Sequence, residues 1–396
     1  MKIGRTGKIV IGSAAAVVAI GVYLFSQYWY YAPGLIQSIR DPIQPNRPVQ
    51  WQEGPATAAA PPDQRPPNIV LILADDLGYN DITLNGGGVA GGAVPTPNIN
   101  EIAHQGVVFT NGYAGNATCA PSRAAIMTGR YATRFGFEFT PAPVAFMKLV
   151  STYFQDGPHK AIFHSERVSQ VPPVAQQAVP TSEITMAQLL KTRGYHTVFL
   201  GKWHLGETPE AAPNARGFDE SLGFLAGASM YLRKDDPQAE NSYQDFDPID
   251  KFLWANLSFA VTNNGSRRFY PSEYMTDYLG DEAVKAINAN HNRPFFLYLA
   301  FNAPHTPLQA LKSDYDALPQ IRDHRLRVYG AMVRALDRNV GKALDALAEN
   351  GLDQNTLVFF TGDNGGANYI GLRISIGPIA DGRRPSSRAE FTCRSS

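Results

Sequence analysis

Apolar residues along this chain fall into three kinds of run, and each predicts a different element. The first is a nearly uncharged stretch, IVIGSAAAVVAIGVYLF (residues 9–25), preceded by Lys2, Arg5 and Lys8 and followed by Tyr28, Trp29 and Tyr30. Its length is short for a membrane span and long for a signal core, and the basic flank and aromatic cluster suit a membrane interface. No small-x-small cleavage site follows. Residues 1–30 are therefore expected to act as an uncleaved signal anchor rather than a cleaved signal peptide. The positive flank would stay in the cytoplasm and the bulk of the chain would be exported, to a periplasmic or other extracytoplasmic face.

The second kind is short, continuous and rich in β-branched or aromatic residues: NIVLILA (68–74), YHTVFL (195–200), PFFLYLAF (294–301) and TLVFFT (356–361). Runs of this length read as strands buried on both faces, as in the centre of an α/β sheet. The third kind recurs at three- and four-residue steps. Leu326, Tyr329, Val333, Leu336, Val340, Leu344 and Leu347 predict a long helix packed on the sheet and ended by Gly351, its Asp and Arg residues forming a solvated face. SEITMAQLLKTRGY (182–195) predicts a shorter helix with Ser182 as N-cap and Gly194 just past its end.

Between the first run and the first strand, residues 31–66 are rich in Pro, Ala and Gln, which predicts an extended linker without a core of its own. The globular part begins at about residue 67. The stretch after Thr140 has no clear period, and with the aromatic segment 246–270 it is expected to shape a pocket. Composition narrows the class only a little. Lys plus Arg equals Asp plus Glu, 35 of each, so bulk charge makes no case for nucleic acid as a partner. Two cysteines without CxxC spacing make neither a disulfide framework nor a structural zinc site.

Chemistry concentrates at the ends of the predicted strands. Asp75 and Asp76 follow the first, where open α/β sheets place their ligands. Adjacent acids on a strand point to opposite faces, so convergence needs an irregular turn, for which Gly78 is the candidate. Asp363 and Asn364 follow the last strand. Three carboxylates and an amide on neighbouring strand ends would suit a hard cation, calcium or magnesium. Lys202 and His204, two residues apart in GKWHLGE, would project to one side of an extended chain toward an anionic oxyacid. His305, held between Pro304 and Pro307, is placed to protonate a leaving group. The remaining histidines, His104, His159, His164, His196, His291 and His324, are read as surface or core imidazoles.

The segment CAPSRAAIMTGR (119–130) matches C-x-P-S-R followed by T-G-R. Together with the order ADD, GKWHLG, PHTP and GDNGG it resembles the formylglycine-dependent, arylsulfatase-like sulfatases of the alkaline-phosphatase-like superfamily, over residues 67–372. The resemblance implies an α/β fold with a central mixed β-sheet flanked by helices, and hydrolysis of sulfate esters. It implies that a formylglycine-generating maturation enzyme oxidises Cys119 to formylglycine. The hydrated aldehyde then attacks sulfate and later expels it by collapsing back. Residue by residue it implies Ca2+ or Mg2+ bound by Asp75, Asp76, Asp363, Asn364 and the matured Cys119. Arg123 would hold the nucleophile, Lys202 and His204 the sulfate oxygens, and His305 would protonate the departing oxygen. The same nucleophile also serves phosphate and phosphonate monoester hydrolases, which is the alternative reading.

The tail, residues 373–396, carries Arg and Ser with no apolar period, and the arginine- or lysine-bearing loop and E-G-G turn that the family places after GDNGG do not follow. Read one base earlier from Leu372, synonymous codons yield R-G-W-K and then E-G-G. The expectation is a frameshift near Leu372 and a catalytic domain without the family's C-terminal subdomain. A further reading follows, that of a truncated, catalytically defective, membrane-anchored protein.

Overall fold

Five parallel strands in a row bring the chemistry-bearing ends of distant segments to one side of the molecule. This is seen in a computed structural model, which describes residues 13, 18–24, 28–153, 160–367, 372 and 391–394. The main sheet has eight strands: β1 (Asn68–Ala74), β2 (Gly106–Phe109), β3 (His196–Lys202), β4 (Glu220–Phe224), β6 (Thr262–Asn263), β7 (Phe295–Ala300), β9 (Thr356–Gly362) and β10 (Phe391–Arg394). Their spatial order is β2-β10-β9-β1-β7-β3-β4-β6. Strands β9, β1, β7, β3 and β4 pair in parallel; β6 joins β4 and β10 joins β9 and β2 antiparallel. A separate two-stranded ribbon pairs β5 (Ala239–Ser242) with β8 (Leu308–Leu311). The fold is the expected α/β class with a central mixed sheet between helices.

β1 shows why a continuous apolar run was the right signal. Val70 and Ile72 pack into one core while Leu71 and Leu73 pack into the other, so neither face can be polar. The first core is covered by the helices Met275–Asn290 and His324–Glu349. The second is covered by the helices Cys119–Thr128 and Met186–Thr192. The long helix starts on Asp323, whose carboxylate accepts from the Leu326 N–H, and Gly351 follows it at φ +63°.

Several expectations need correction. The shorter helix is capped by Thr185, not Ser182: Thr185 and Gln188 form a reciprocal capping box that satisfies two end N–H groups. The Asp and Arg residues of the long helix form a solvated face only in part: Arg334 and Asp345 are exposed, but Asp337 and Arg338 are not free. Asp337 is buried and accepts from the N–H groups of Asn98 and Ile99, and Arg338 is clamped between Asp277 and Asp314. Residues 31–66, expected as a linker without a core, lie along the domain. Trp51 is buried and donates to Glu282 Oε2 at 2.8 Å, the Gly54 N–H donates to Ala289 O, and residues 32–40 form a helix. The aromatic segment 246–270 contributes Trp254, Phe259 and Phe269 to the core.

Most of the 9–25 run and of the 373–396 tail lies outside the described residues. Among the described residues no helix is long and apolar enough to cross a membrane. The tail's residues 391–394 form the strand between β2 and β9.

Candidate active site

The carboxyl ends of β9, β1, β7 and β3, four adjacent strands, deliver Asp363, Asp75, His305 and Lys202 respectively. Asp75 is fully buried and takes Lys202 Nζ at 2.5 Å on one oxygen, while Arg123 Nη2 lies 3.4 Å from the other. Arg123, also fully buried, donates from Nε to Asp363 Oδ2 at 2.9 Å and from Nη1 to the Lys202 carbonyl at 2.8 Å. Two cations and two carboxylates thus neutralise one another in the floor of the site, the condition under which charges persist out of water. Burial pushes the Asp75 carboxyl up, but Lys202, His305 and Arg123 together outweigh it and hold it below its ordinary value. Burial and the neighbouring Asp75 raise the Asp363 carboxyl to about 6 despite Arg123.

Asp76 makes the irregular turn that lets adjacent acids share a site. Its own backbone is left-handed, at φ +59°, so the turn that had been expected of Gly78 falls on the aspartate itself. Its carboxylate accepts from Asn364 Nδ2 at 2.6 Å and faces His305 Nε2 at 3.6 Å, and its N–H donates to Asp363 Oδ1 at 3.2 Å. Cys119 Sγ stands 3.9 Å from Asp76 Oδ1. Candidate ligand atoms of Asp75, Asp76, Cys119 and His305 lie within 4.8 Å of one another, a cluster able to hold a metal ion. Asp75 Oδ1 and Asn364 Oδ1 are buried and accept no hydrogen bond. Buried oxygens in that state are what a hard cation satisfies.

Cys119 is the first residue of its helix, after Thr118 in extended conformation. The thiol therefore sits at the positive end of the helix dipole. Even so, burial pushes its pKa well above the ordinary value, with Lys202 opposing and three aspartates adding to the effect. Ser122 Oγ donates to the Asp363 carbonyl, tying this helix to the end of β9. That contact and Asp81 are what motif reading missed. Asp81 is buried and accepts from the Gly78 N–H at 2.8 Å and the Tyr329 hydroxyl at 2.5 Å, bracing the Asp76 turn against the long helix. Its only sequence signal was an acid close after the turn.

Lys202 and His204 do not lie on one extended strand. His204 is left-handed at φ +60°, and its ring is buried against Gly227, where a Cβ would fall 2.7 Å from Nε2. Burial, then Lys202 and Arg123, lower its pKa well below the ordinary value, so the ring is neutral, and Nδ1 has no hydrogen-bond partner. Gly201 precedes Lys202 at φ +104°, where a Cβ would fall 1.9 Å from the Ala300 carbonyl of β7. Among the other histidines, His196 pairs with Glu220 and Asp219, His104 and His164 lie beside glutamates, and His291 and His324 bond backbone carbonyls. His159 lies outside the described residues.

Residues 67–377 match the family model described as Sulfatase. The chain belongs to the sulfatase family. It is 34% identical over 319 residues to an N-acetylgalactosamine-6-sulfatase of Mus musculus, covering 79% of this chain and 52% of that protein. It is 32% identical to an arylsulfatase of Hemicentrotus pulcherrimus, covering 76% and 47%. Among solved structures, Ps i-CgsB in complex with k-i-k-neocarrahexaose is similar at 35% identity and a TM-score of 0.64, covering 84% of this chain and 66% of that one. This sulfatase-family chain spans about half the length of the curated relatives it matches.

Proposed function

We propose that the protein hydrolyses sulfate esters with a nucleophile made from Cys119. The observation that carries this reading is the position of Cys119, at a helix N-terminus 3.9 Å from Asp76 and inside the Asp75–Asp76–His305 cluster, in a chain of the sulfatase family. The thiol itself is held protonated, which suits a precursor better than a thiolate nucleophile. Oxidised to formylglycine and hydrated, it would present a geminal diol, one hydroxyl to attack sulfur and the other to expel sulfate by collapse to the aldehyde.

Asp75, Asp76, Asp363, Asn364 and the matured residue 119 would hold Ca2+ or Mg2+. When bound, that ion supplies Lewis-acid polarisation of a sulfate oxygen and lowers the pKa of the nucleophilic hydroxyl. The two buried acceptor oxygens without hydrogen bonds support the assignment. Arg123 holds Asp363 in place and adds positive charge beneath the nucleophile. Lys202 and His204 stand ready for sulfate oxygens: the lysine as a cation, the neutral imidazole as an N–H donor. His305 Nδ1 lies 2.5 Å from the Thr306 carbonyl, which orients the ring so that Nε2 can serve the leaving oxygen. One relative is named an N-acetylgalactosamine-6-sulfatase, another an arylsulfatase, and one similar solved structure is a complex with k-i-k-neocarrahexaose. The first and the last turn the reading toward sulfated sugars as the substrate class.

On the same reading the chain is exported, is matured by a formylglycine-generating enzyme, and is anchored by its N-terminal run. The test is turnover of an aryl sulfate, a sulfated oligosaccharide and a phosphate monoester by protein produced with the maturation enzyme. Sulfate release that is abolished in Cys119→Ala supports the proposal. Faster turnover of the phosphate ester, or equal activity in Cys119→Ala, overturns it.

A further inference from the structure

The helix Ala32–Arg40 is docked inside out. Ala32, Leu35, Ile36 and Ile39 follow the i, i+3, i+4, i+7 pattern of one apolar stripe. In a helix packed on a domain that stripe faces the core. Here Leu35, Ile36 and Ile39 are 63%, 47% and 72% exposed. The opposite side, Gly34, Gln37 and the flanking Asp41, faces the protein. The Gly34 N–H donates to Asn256 Oδ1 at 2.7 Å, and a Cβ on Gly34 would fall about 3.0 Å from the Asn256 backbone. Asn256 Nδ2 donates to the Tyr30 carbonyl at 2.8 Å. Gln37 and Asp41 line a cleft with Arg268, whose Nε pairs with Asp41 Oδ2 at 2.5 Å and whose Nη2 donates to the Asp41 carbonyl. The contacts that hold the helix are thus polar and specific, and its apolar face is left outward.

We infer that this outward stripe lies in the surface layer of a lipid bilayer, making residues 28–41 a rigid mount rather than a leash between the proposed anchor and the catalytic domain. Three observations select a bilayer as the occupant. A nine-residue helix is about 14 Å long, too short to cross the roughly 30 Å hydrocarbon core but suited to lying in the interface plane. Immediately before it stand Tyr28, Trp29, Tyr30 and Tyr31, the residues that favour the headgroup level, with Tyr28 and Tyr31 exposed. Earlier in the chain Val18, Ile20, Val22 and Leu24 are exposed as well, part of the apolar run preceded by Lys2, Arg5 and Lys8.

The inference rests on the anchor reading above, and the experiment separates the two. Full-length protein is reconstituted into phosphatidylcholine–phosphatidylglycerol vesicles, as Ile39→Trp and, for reference, as Leu189→Trp on the exposed side of a different helix. The native tryptophans are a common background, three of them buried. The expected result is co-flotation of both variants with vesicles. In Ile39→Trp alone, emission shifts to the blue, and lipids brominated near the headgroup end of the acyl chain quench it. Co-flotation with equal, unquenched emission from both variants overturns the mount and leaves the anchor standing. A blue shift without lipid quenching shows that a second copy covers the stripe, and also overturns it. Failure to co-float overturns anchor and mount together. Sulfate release measured in detergent reports separately on the enzymatic proposal.

Discussion

Replacing Asp81 with asparagine should make stability less dependent on pH, and the structure sets the size of the effect. Asp81 is 2% exposed, and burial raises its pKa from 3.8 to about 7, against the opposing hydrogen bonds from Tyr329 and the Gly78 N–H. The folded-state pKa lies above the unfolded one. The folded protein therefore retains a proton that the unfolded chain releases, and stability falls as pH rises from about 4 to about 7. A shift of roughly three units at about 1.4 kcal/mol each comes to about 4 kcal/mol, of which about 2.5 kcal/mol is lost between about pH 5 and pH 8. Asparagine offers the same acceptor to Gly78 and Tyr329 without ionising. The assay is urea unfolding of wild type and Asp81→Asn at both pH values, with a chelator present so that metal binding does not enter. Wild type should lose about 2.5 kcal/mol more than the variant over this interval. Other groups titrate in the window but cancel in the difference. Equal pH slopes for the two proteins would refute the reasoning, because Asp81 would then be ionised throughout or as solvated as in the unfolded chain.

Mass spectrometry of the peptide containing residue 119, from active protein made with a maturation enzyme, should show aldehyde in place of thiol; unmodified cysteine in an active preparation rules that out. Asp75→Ala and Asp363→Ala should each abolish calcium binding in calorimetry. Asp75→Ala should also destabilise the fold by about 3–5 kcal/mol, because Lys202 and Arg123 lose a buried counter-charge; unchanged affinity in both variants would refute the metal assignment. His305→Ala should slow esters with poor leaving groups by about 10²–10⁴-fold and good ones far less, and equal losses for both would exclude the acid role. Thr185→Ala should cost about 1 kcal/mol through loss of the capping box, read by denaturant unfolding.

The elements that reading along the chain located best were those whose burial is complete or periodic. β1 begins and ends where its run does, because from Val70 to Ala74 both faces are covered by apolar cores. The long helix likewise spans its stripe from His324 to Glu349. Strand-end chemistry was legible as residue types, since Asp75, Lys202, His305 and Asp363 each follow an apolar run. Their arrangement was not. The turn at Asp76 depends on a left-handed aspartate held by partners from two other segments, and the Asp81–Tyr329 bond joins residues 248 apart. The Pro- and Ala-rich segment was misread for a related reason. Its low apolar content is real, but Trp51 and a few backbone hydrogen bonds suffice to dock it, and composition does not reveal single anchors.

The position of β1 at the centre of the row carries a cost during synthesis. Its two neighbours, β7 and β9, come from the far half of the chain, the nearer of them 227 residues after Asn68. At roughly 5–20 residues per second the ribosome needs about 10–45 s to deliver that neighbour. Throughout this interval NIVLILA has both edges open, with only the flanking Pro66, Pro67, Asp75 and Asp76 to discourage pairing with another copy. Slow translation or crowded expression should therefore aggregate this protein through its first strand, before any residue of the site has met its partners.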